Sequence, residues 1–499
     1  MRTLKKTLAF ALAALLSLSL LPAAALAAEF GDTAGHWAED AIRTWADHGV
    51  LNGTNGRFRP NAPITRAELA AVINRVIGYN ATGSNAFSDV SETDWFYGDV
   101  LKLNAAGVLL GSGGRARPQD NLTREEAAVV IARAFGLAGN AGGNDFPDAA
   151  SVSDWAAASV GALKALGYLH GDTAGRFRPR ANITRAEVVT IVDNFIAAYY
   201  AAAGEQTGSV TGNAVIRADG VTLKDATIGG DLYIAEGVGE GTVILDGVTV
   251  SGVTYIRGGG PNSVIIRGAS HLGRIVIEKS EAGVLRVAVE GTAAVIESLA
   301  IAESESGVIL EGPLPRLSIE SGSGVTLKNA KAADVEISGS GAVVTVEAGT
   351  TVDKIAISGS LVTVTGAGKV TAISVTAGTG VTITVPNAAV TVAESAGAVT
   401  TGNGATIEPG KTGTSHPDSA TPPSGGGGGS SGTPSNPGGG GTTNAATPAI
   451  TSQPAASTTV QQGAAVTPLT VVATVSGSGS GTLSYQWHST ANGTSNTGG

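Results

Sequence analysis

The spacing of apolar positions divides the chain into stretches of different period. Arg2, Lys5 and Lys6 stand before an apolar run from Leu8 to Leu21, and Pro22 and Ala25-Leu26-Ala27 come after it. This order predicts a cleavable export signal over residues 1–27, cut after Ala27 or Ala28. Beyond it, apolar residues recur at helical intervals. Trp37, Ala41, Ile42, Trp45 and Ala46 form one stripe, stopped by Gly49, and Leu69, Val72, Ile73 and Val76 form a second. A loop with Gly53, Gly56 and Pro60 lies between them, so the predicted unit is helix, Gly/Pro loop, helix.

The unit occurs three times, over residues 28–83, 84–142 and 143–203. Phe30-Gly31-Asp32 leads to Trp37, Phe87-Ser88-Asp89 to Trp95, and Phe146-Pro147-Asp148 to Trp155, with the tryptophans 58 and 60 residues apart. Each copy then carries Thr-Arg-x-Glu, at Thr65-Arg66-Ala67-Glu68, Thr123-Arg124-Glu125-Glu126 and Thr184-Arg185-Ala186-Glu187. Thr65 with Glu68, Thr123 with Glu126, and Thr184 with Glu187 predict capping boxes, a structural role in which hydroxyl and carboxylate satisfy the free backbone donors of a helix start. The arginine between them opposes the helix dipole. Arg66, Arg124 and Arg185 are therefore expected to meet either an external anion or a carboxylate of another repeat, which guanidinium grips with two parallel donors. A tryptophan opening an apolar stripe fits a core position or a sugar platform.

From Ser209 the period changes. Val221-Thr222-Leu223, Leu232-Tyr233-Ile234, Val243-Ile244-Leu245, Val253-Thr254-Tyr255, Val264-Ile265-Ile266 and Ile275-Val276-Ile277 begin 10 or 11 residues apart, and similar triplets continue to Val381-Thr382-Ile383. Glycines lie inside longer loops rather than at tight hairpin corners. This predicts a parallel β-helix over residues 209–408, with about two strands per coil of about 20 residues, rather than an antiparallel sandwich. Residues 409–447, with two runs of glycine among Ser, Thr and Pro, read as a flexible linker. Residues 448–499 resemble the first strands of a bacterial immunoglobulin-like domain, about half of such a sandwich, so a truncated and poorly ordered segment is expected. The fold class is thus multidomain: a helical module, a β-solenoid, and a partial all-β segment.

Composition narrows the function. With 72 Gly, 14% charged and 4% aromatic residues among 499, the chain suits stiff repetitive architecture better than an ordinary enzyme. It has no cysteine, which removes thiol nucleophiles and cysteine metal sites, and no metal or cofactor is expected. Loss of Arg2, Lys5 and Lys6 with the signal takes the net charge from -10 to -13, opposite to a general nucleic-acid binder. No later stretch is long enough to span a membrane. In the β-helical region the best cluster for acid–base chemistry is His271, Arg274, Glu278 and Lys279. It stands in one coil without partners in the next, so no catalytic residue is assigned.

The pattern F-x-D, W, A-I, G, G-x-F-x-P, I-T-R-A-E over Glu29 to Tyr200 resembles the S-layer homology domain, and three tandem copies are usual for that family. The resemblance implies a pseudo-threefold bundle whose inter-repeat grooves bind secondary cell-wall polysaccharide, often bearing terminal pyruvate. By the same resemblance Arg66, Arg124 and Arg185 would pair the pyruvyl carboxylate. Asp32, Asp89 and Asp148 would accept sugar hydroxyls, and Trp37, Trp95 and Trp155 would wall the grooves. Repeat two departs from the pattern, with Arg115-Ala116-Arg117-Pro118 where the others read Arg57-Phe58-Arg59-Pro60 and Arg176-Phe177-Arg178-Pro179. The expected protein is exported, held non-covalently in the cell wall or S-layer, and not an enzyme, with a rod that displays C-terminal modules. Other surface-layer subunits are a further class of partner. The alternatives are a wall-tethered polysaccharide lyase or hydrolase, and a glycan-binding adhesin.

Overall fold

A computed structural model describes residues 30–137, 143–304, 307–415, 449–452 and 472–474. The export signal lies outside the described residues, as do most of the linker and of the immunoglobulin-like segment. Of that segment, Ala449–Ser452 and Val472–Thr474 form an antiparallel pair.

Six helices make the first module: α1 (Glu39–Asp47), α2 (Arg66–Ile77), α3 (Tyr97–Ala105), α4 (Arg124–Ala134), α5 (Asp154–Ala165) and α6 (Arg185–Phe195). Helices α2, α4 and α6 start at Thr65, Thr123 and Thr184, and each start is a complete capping box with its glutamate. Just before these caps the three repeats meet. Ile64 N–H donates to Ile183 O, Ile183 N–H to Leu122 O, and Leu122 N–H to Ile64 O, at 3.0–3.1 Å. This closed ring of backbone bonds is the pseudo-threefold axis. Around it the apolar faces form one core that includes Trp45, Phe58, Phe135, Phe177 and Phe195.

The second module is a change of architecture without a break in the chain. Helix α6 ends at Phe195, and Ile196–Tyr200 at once pairs in parallel with Asn213–Ile216. From there the chain winds a β-solenoid of about 11 turns. Register partners stack aliphatics in columns: Ile275 on Leu299, Leu299 on Leu317, Leu317 on Val335, and Val335 on Ile355. Leu310, Leu327 and Val346 stack in a second column. A third, through Leu314, Ala332, Val352 and Val370, was not anticipated from the triplets. Its segments are single inward residues on long strands such as Gly324–Ile337, which turn a corner without a glycine stop to mark it. Main-chain bonds join successive coils, and the interior is mostly aliphatic, with a few buried polar side chains such as Ser270 and Thr350 bonded to backbone carbonyls. The far end is closed by antiparallel strands: Thr412–Thr414 folds onto Ala389–Val392, and Thr406–Ile407 onto Val399–Thr401. Such a cover removes an edge that would otherwise template further strands.

Bundle and solenoid share a core. Val215, Tyr233 and Ala235 pack with the bundle, and the Tyr233 ring lies 5.6 Å from Phe195 and 5.0 Å from Tyr255. Arg257, buried in the first coils, donates to Ala134 O and Phe135 O at 3.0 and 3.2 Å, so a cation sits on the negative end of α4.

Candidate functional site

The three arginines sit where one repeat meets the next. Arg66 reaches the loop of repeat two, donating from Nε to Ala116 O (2.8 Å) and from Nη2 to Leu110 O (2.9 Å). Arg124 does the same with Phe177 O and His170 O in repeat three, and Arg185 with Phe58 O and Asn52 O in repeat one. The side chains are nearly buried, and burial pulls each guanidinium below its ordinary value while neighbouring carboxylates push back. Of the two partners expected from sequence, the inter-repeat carboxylate is present for two arginines. Arg124 Nη1 lies 2.6 Å from Glu187 Oε1, and Arg185 Nη1 2.7 Å from Glu68 Oε1. Each glutamate thus serves its own helix start through Oε2 and the neighbouring repeat through Oε1.

Arg66 differs. Among the described residues it has no carboxylate at ion-pair distance; Glu126 Oε1 is taken instead by Arg117 at 3.2 Å. The cause is visible in repeat two. Arg185 lies over the Phe58 ring at 4.6 Å and Arg124 over Phe177 at 5.2 Å, whereas Ala116 offers no ring. The phenyl rings help fix guanidinium and carboxylate in register, and without one Arg66 keeps only its two carbonyl bonds.

Each arginine opens into a groove built by all three repeats. The Arg185 groove, about 200 Å³, is lined by the repeat-one loop and by Trp95 of repeat two. That of Arg124, about 260 Å³, has the repeat-three loop and Trp37 of repeat one. The Arg66 groove is the roomiest of the three, about 390 Å³, with the repeat-two loop and Trp155 of repeat three. Trp37, Trp95 and Trp155 are 58–64% exposed, so the core alternative for these residues does not hold. A tryptophan that covers no core is free to stack on a ligand ring.

Charge also distinguishes the grooves. Arg66, Arg117 and Arg133 face Glu126 in one, and Arg57, Arg59, Arg75 and Arg185 face Glu68 in another, leaving both basic. In the third, Arg124 and Arg178 are matched by Glu187 and Asp172. Sequence reading missed the contributions of Arg75 and Arg133. The signal was there: each lies ten residues after its capping threonine, where repeat three has Asn194.

The aspartates have a structural task. Asp32 accepts from Phe58 N–H and Arg59 N–H, Asp89 from Ala116 N–H and Arg117 N–H, and Asp148 from Phe177 N–H and Arg178 N–H, at 2.7–2.9 Å. Arg59, Arg117 and Arg178 have φ of 59°, 53° and 56°, a left-handed backbone that L-residues resist. The carboxylates hold this strained turn in place. For Asp32 and Asp89 burial raises the pKa, but the backbone donors outweigh it and the carboxyls lie below their ordinary value.

The acid–base cluster noted in the solenoid does not converge. Lys279 is buried on Glu240 (2.7 Å) and Gly259 O, Glu278 is held by Arg257 (3.0 Å), and His271 lies 3.4 Å from Glu297. Among the described residues no group of three or more His, Cys, Asp or Glu could hold a metal ion, and no helix is long and apolar enough to cross a membrane.

Comparison with known proteins agrees with the geometry. The profile of the S-layer homology domain matches residues 29–70, 86–128 and 145–189. An amylopullulanase of Thermoanaerobacterium thermosulfurigenes is 36% identical over 170 residues, 33% of this chain and 9% of that protein. The exoglucanase XynX of Acetivibrio thermocellus is 33% identical over 170 residues, covering 33% and 16%. The surface-layer 125 kDa protein of Lysinibacillus sphaericus is 32% identical over 195 residues, covering 38% and 16%. The chain therefore spans less than a fifth of the length of these relatives. Its helical module consists of three tandem S-layer homology domains, and the chain is a cell-surface protein associated with the cell wall.

Proposed function

We propose that the grooves between repeats bind an acidic cell-wall polysaccharide, and that the solenoid is a non-catalytic rod presenting the modules C-terminal to it. The observation that carries the first part is the composition of each groove: an exposed tryptophan from one repeat, a guanidinium from a second and a loop from the third. An aromatic face with a fixed cation suits a sugar that carries a carboxylate, such as a pyruvyl ketal. Relatives with differing names, two polysaccharide-degrading enzymes and a surface-layer protein, share a stretch of similar length with this chain, as a common anchoring module would. Other surface-layer subunits are the partners expected for a rod held at the wall.

The full chain should sediment with wall sacculi that bear the polymer and stay in solution when the polymer has been stripped or lacks its pyruvate. Equal sedimentation with stripped sacculi would overturn this and favour peptidoglycan as the ligand. For the rod, His271, Glu278 and Lys279 are each engaged with a different partner, so among the described residues this cluster offers no convergent acid–base set to act on a substrate. No turnover of acidic or neutral polysaccharides is expected. Turnover abolished by His271→Ala would make the protein a wall-tethered carbohydrate enzyme, and saturable glycan binding by the rod would make it an adhesin.

A further inference from the structure

The turn Glu236–Val238 of the solenoid abuts the C-terminal end of α2 through Gly237. The fit is close. A Cβ on Gly78, whose φ is 86°, would come within 2.5 Å of Gly237 Cα, and Asn80 Nδ2 donates to Glu236 O at 2.9 Å. Glu236 itself is 6% exposed, and its Oε2 has no hydrogen-bond partner among the described residues. The residue borders a cavity of about 580 Å³ bounded jointly by bundle and solenoid.

The charges facing this carboxylate come from every side of the junction. Arg257 is the nearest compensating cation, but its guanidinium already serves Glu278 at 3.0 Å and the two carbonyls at the end of α4. Glu281 accepts from Asn80 N–H at 2.9 Å and Ala81 N–H at 3.3 Å, and the Tyr79 hydroxyl donates to Ala134 O. The Arg217 side chain packs on Gly237, and Lys102, Arg133 and Glu303 line the wider cavity. Helices α2 and α4 both end here, adding the negative ends of two dipoles. An ionised Glu236 would have to share Arg257 with Glu278, beside the further negative charge of Glu281, and its Oε2 would stay buried without a hydrogen bond.

We propose that the junction is a proton-operated latch: with Glu236 protonated the turn at residues 78–81 is locked onto the turn at 236–239, and ionisation of Glu236 loosens that contact. Burial pushes the carboxyl up to about 7, with Arg257 pulling down and Glu281 and Glu278 adding to the rise. The closed latch holds a proton that the open one releases. Closure is therefore tightest near and below the ordinary carboxyl value of 4.5, weakens as pH rises toward 7, and changes no further above that. The shift corresponds to up to about two orders of magnitude in the closing equilibrium.

Amide exchange of the full chain, normalised for intrinsic rates, reads the latch. Between pH 5 and 8 the protection of residues 78–81 and 236–239 should fall tenfold or more in the wild type and stay at its low-pH level in Glu236→Gln. A flat wild-type profile, or the same fall in Glu236→Gln, would overturn the proposal. So would loss of the pH dependence in Glu281→Gln, which should keep it. Should Glu236→Gln not fold, carboxyl carbon titration of the wild type decides, and a Glu236 midpoint below 5 is incompatible with a latch.

Discussion

The grooves of Arg66 and Arg124 start from the same motif and end in different states. Arg124 is held by two carbonyl bonds, a ring and Glu187, in a groove whose charges balance. Arg66 has the two carbonyl bonds but neither ring nor carboxylate, and its groove is larger and basic. One substitution in the neighbouring loop, Ala116 for phenylalanine, accompanies the change. A repeated motif therefore specifies where a side chain is placed, while its partners specify what that side chain remains free to do.

The largest effect of this contrast is on stability. Arg124→Ala strands the half-buried Glu187 and should cost about 3 kcal/mol, whereas Arg66→Ala strands no carboxylate and should cost about 1–2 kcal/mol. Urea unfolding of the full chain measures both, and equal losses would break the contrast. Polymer binding should show the reverse order. Arg66→Lys should weaken sedimentation with wall sacculi by about tenfold or more, corresponding to about 1–3 kcal/mol, and Arg124→Lys by less than about twofold. Equal losses would mean that Glu187 yields to the ligand.

Thr65→Ala, Thr123→Ala and Thr184→Ala sharpen the comparison from the other side. The three caps have the same bonds, so each should cost about 1 kcal/mol regardless of groove. Restoring the ring with Ala116→Phe should stabilise by about 0.5–1 kcal/mol through cation–π contact and narrow the groove, weakening polymer uptake. An overpacked, less stable variant would show that the repeat-two loop has adapted to alanine. The smallest effect is common to repeats one and two. Asp32 and Asp89 have lowered pKa values, so their support for the strained loops is complete above the ordinary carboxyl value of 3.8 and is lost only as pH falls below it. Amide exchange at Arg59 and Arg117 should stay slow at pH 5 and rise at pH 3.

Local chemistry is what the amino-acid sequence determined. Thr65 and Glu68 lie three residues apart, and that distance alone makes a capping box; the triplets with glycine between them make short strands that can only be buried by stacking. The threefold repeat, the helices, the parallel solenoid and the placement of the arginines at helix starts could all be read from such spacings. The partners across space were decided only by the tertiary structure. Glu68 meets Arg185 across 117 residues because closing the ring of Ile64, Leu122 and Ile183 brings the third repeat back to the first; Trp95 joins the same groove from the second repeat, and Asp32 holds the backbone of Arg59 where repeat one folds back on itself. The fusion of bundle and solenoid through Tyr233 and Arg257 belongs to the same class. Neither residue has a motif, and burial between two modules is a property of their docking, which no local period encodes.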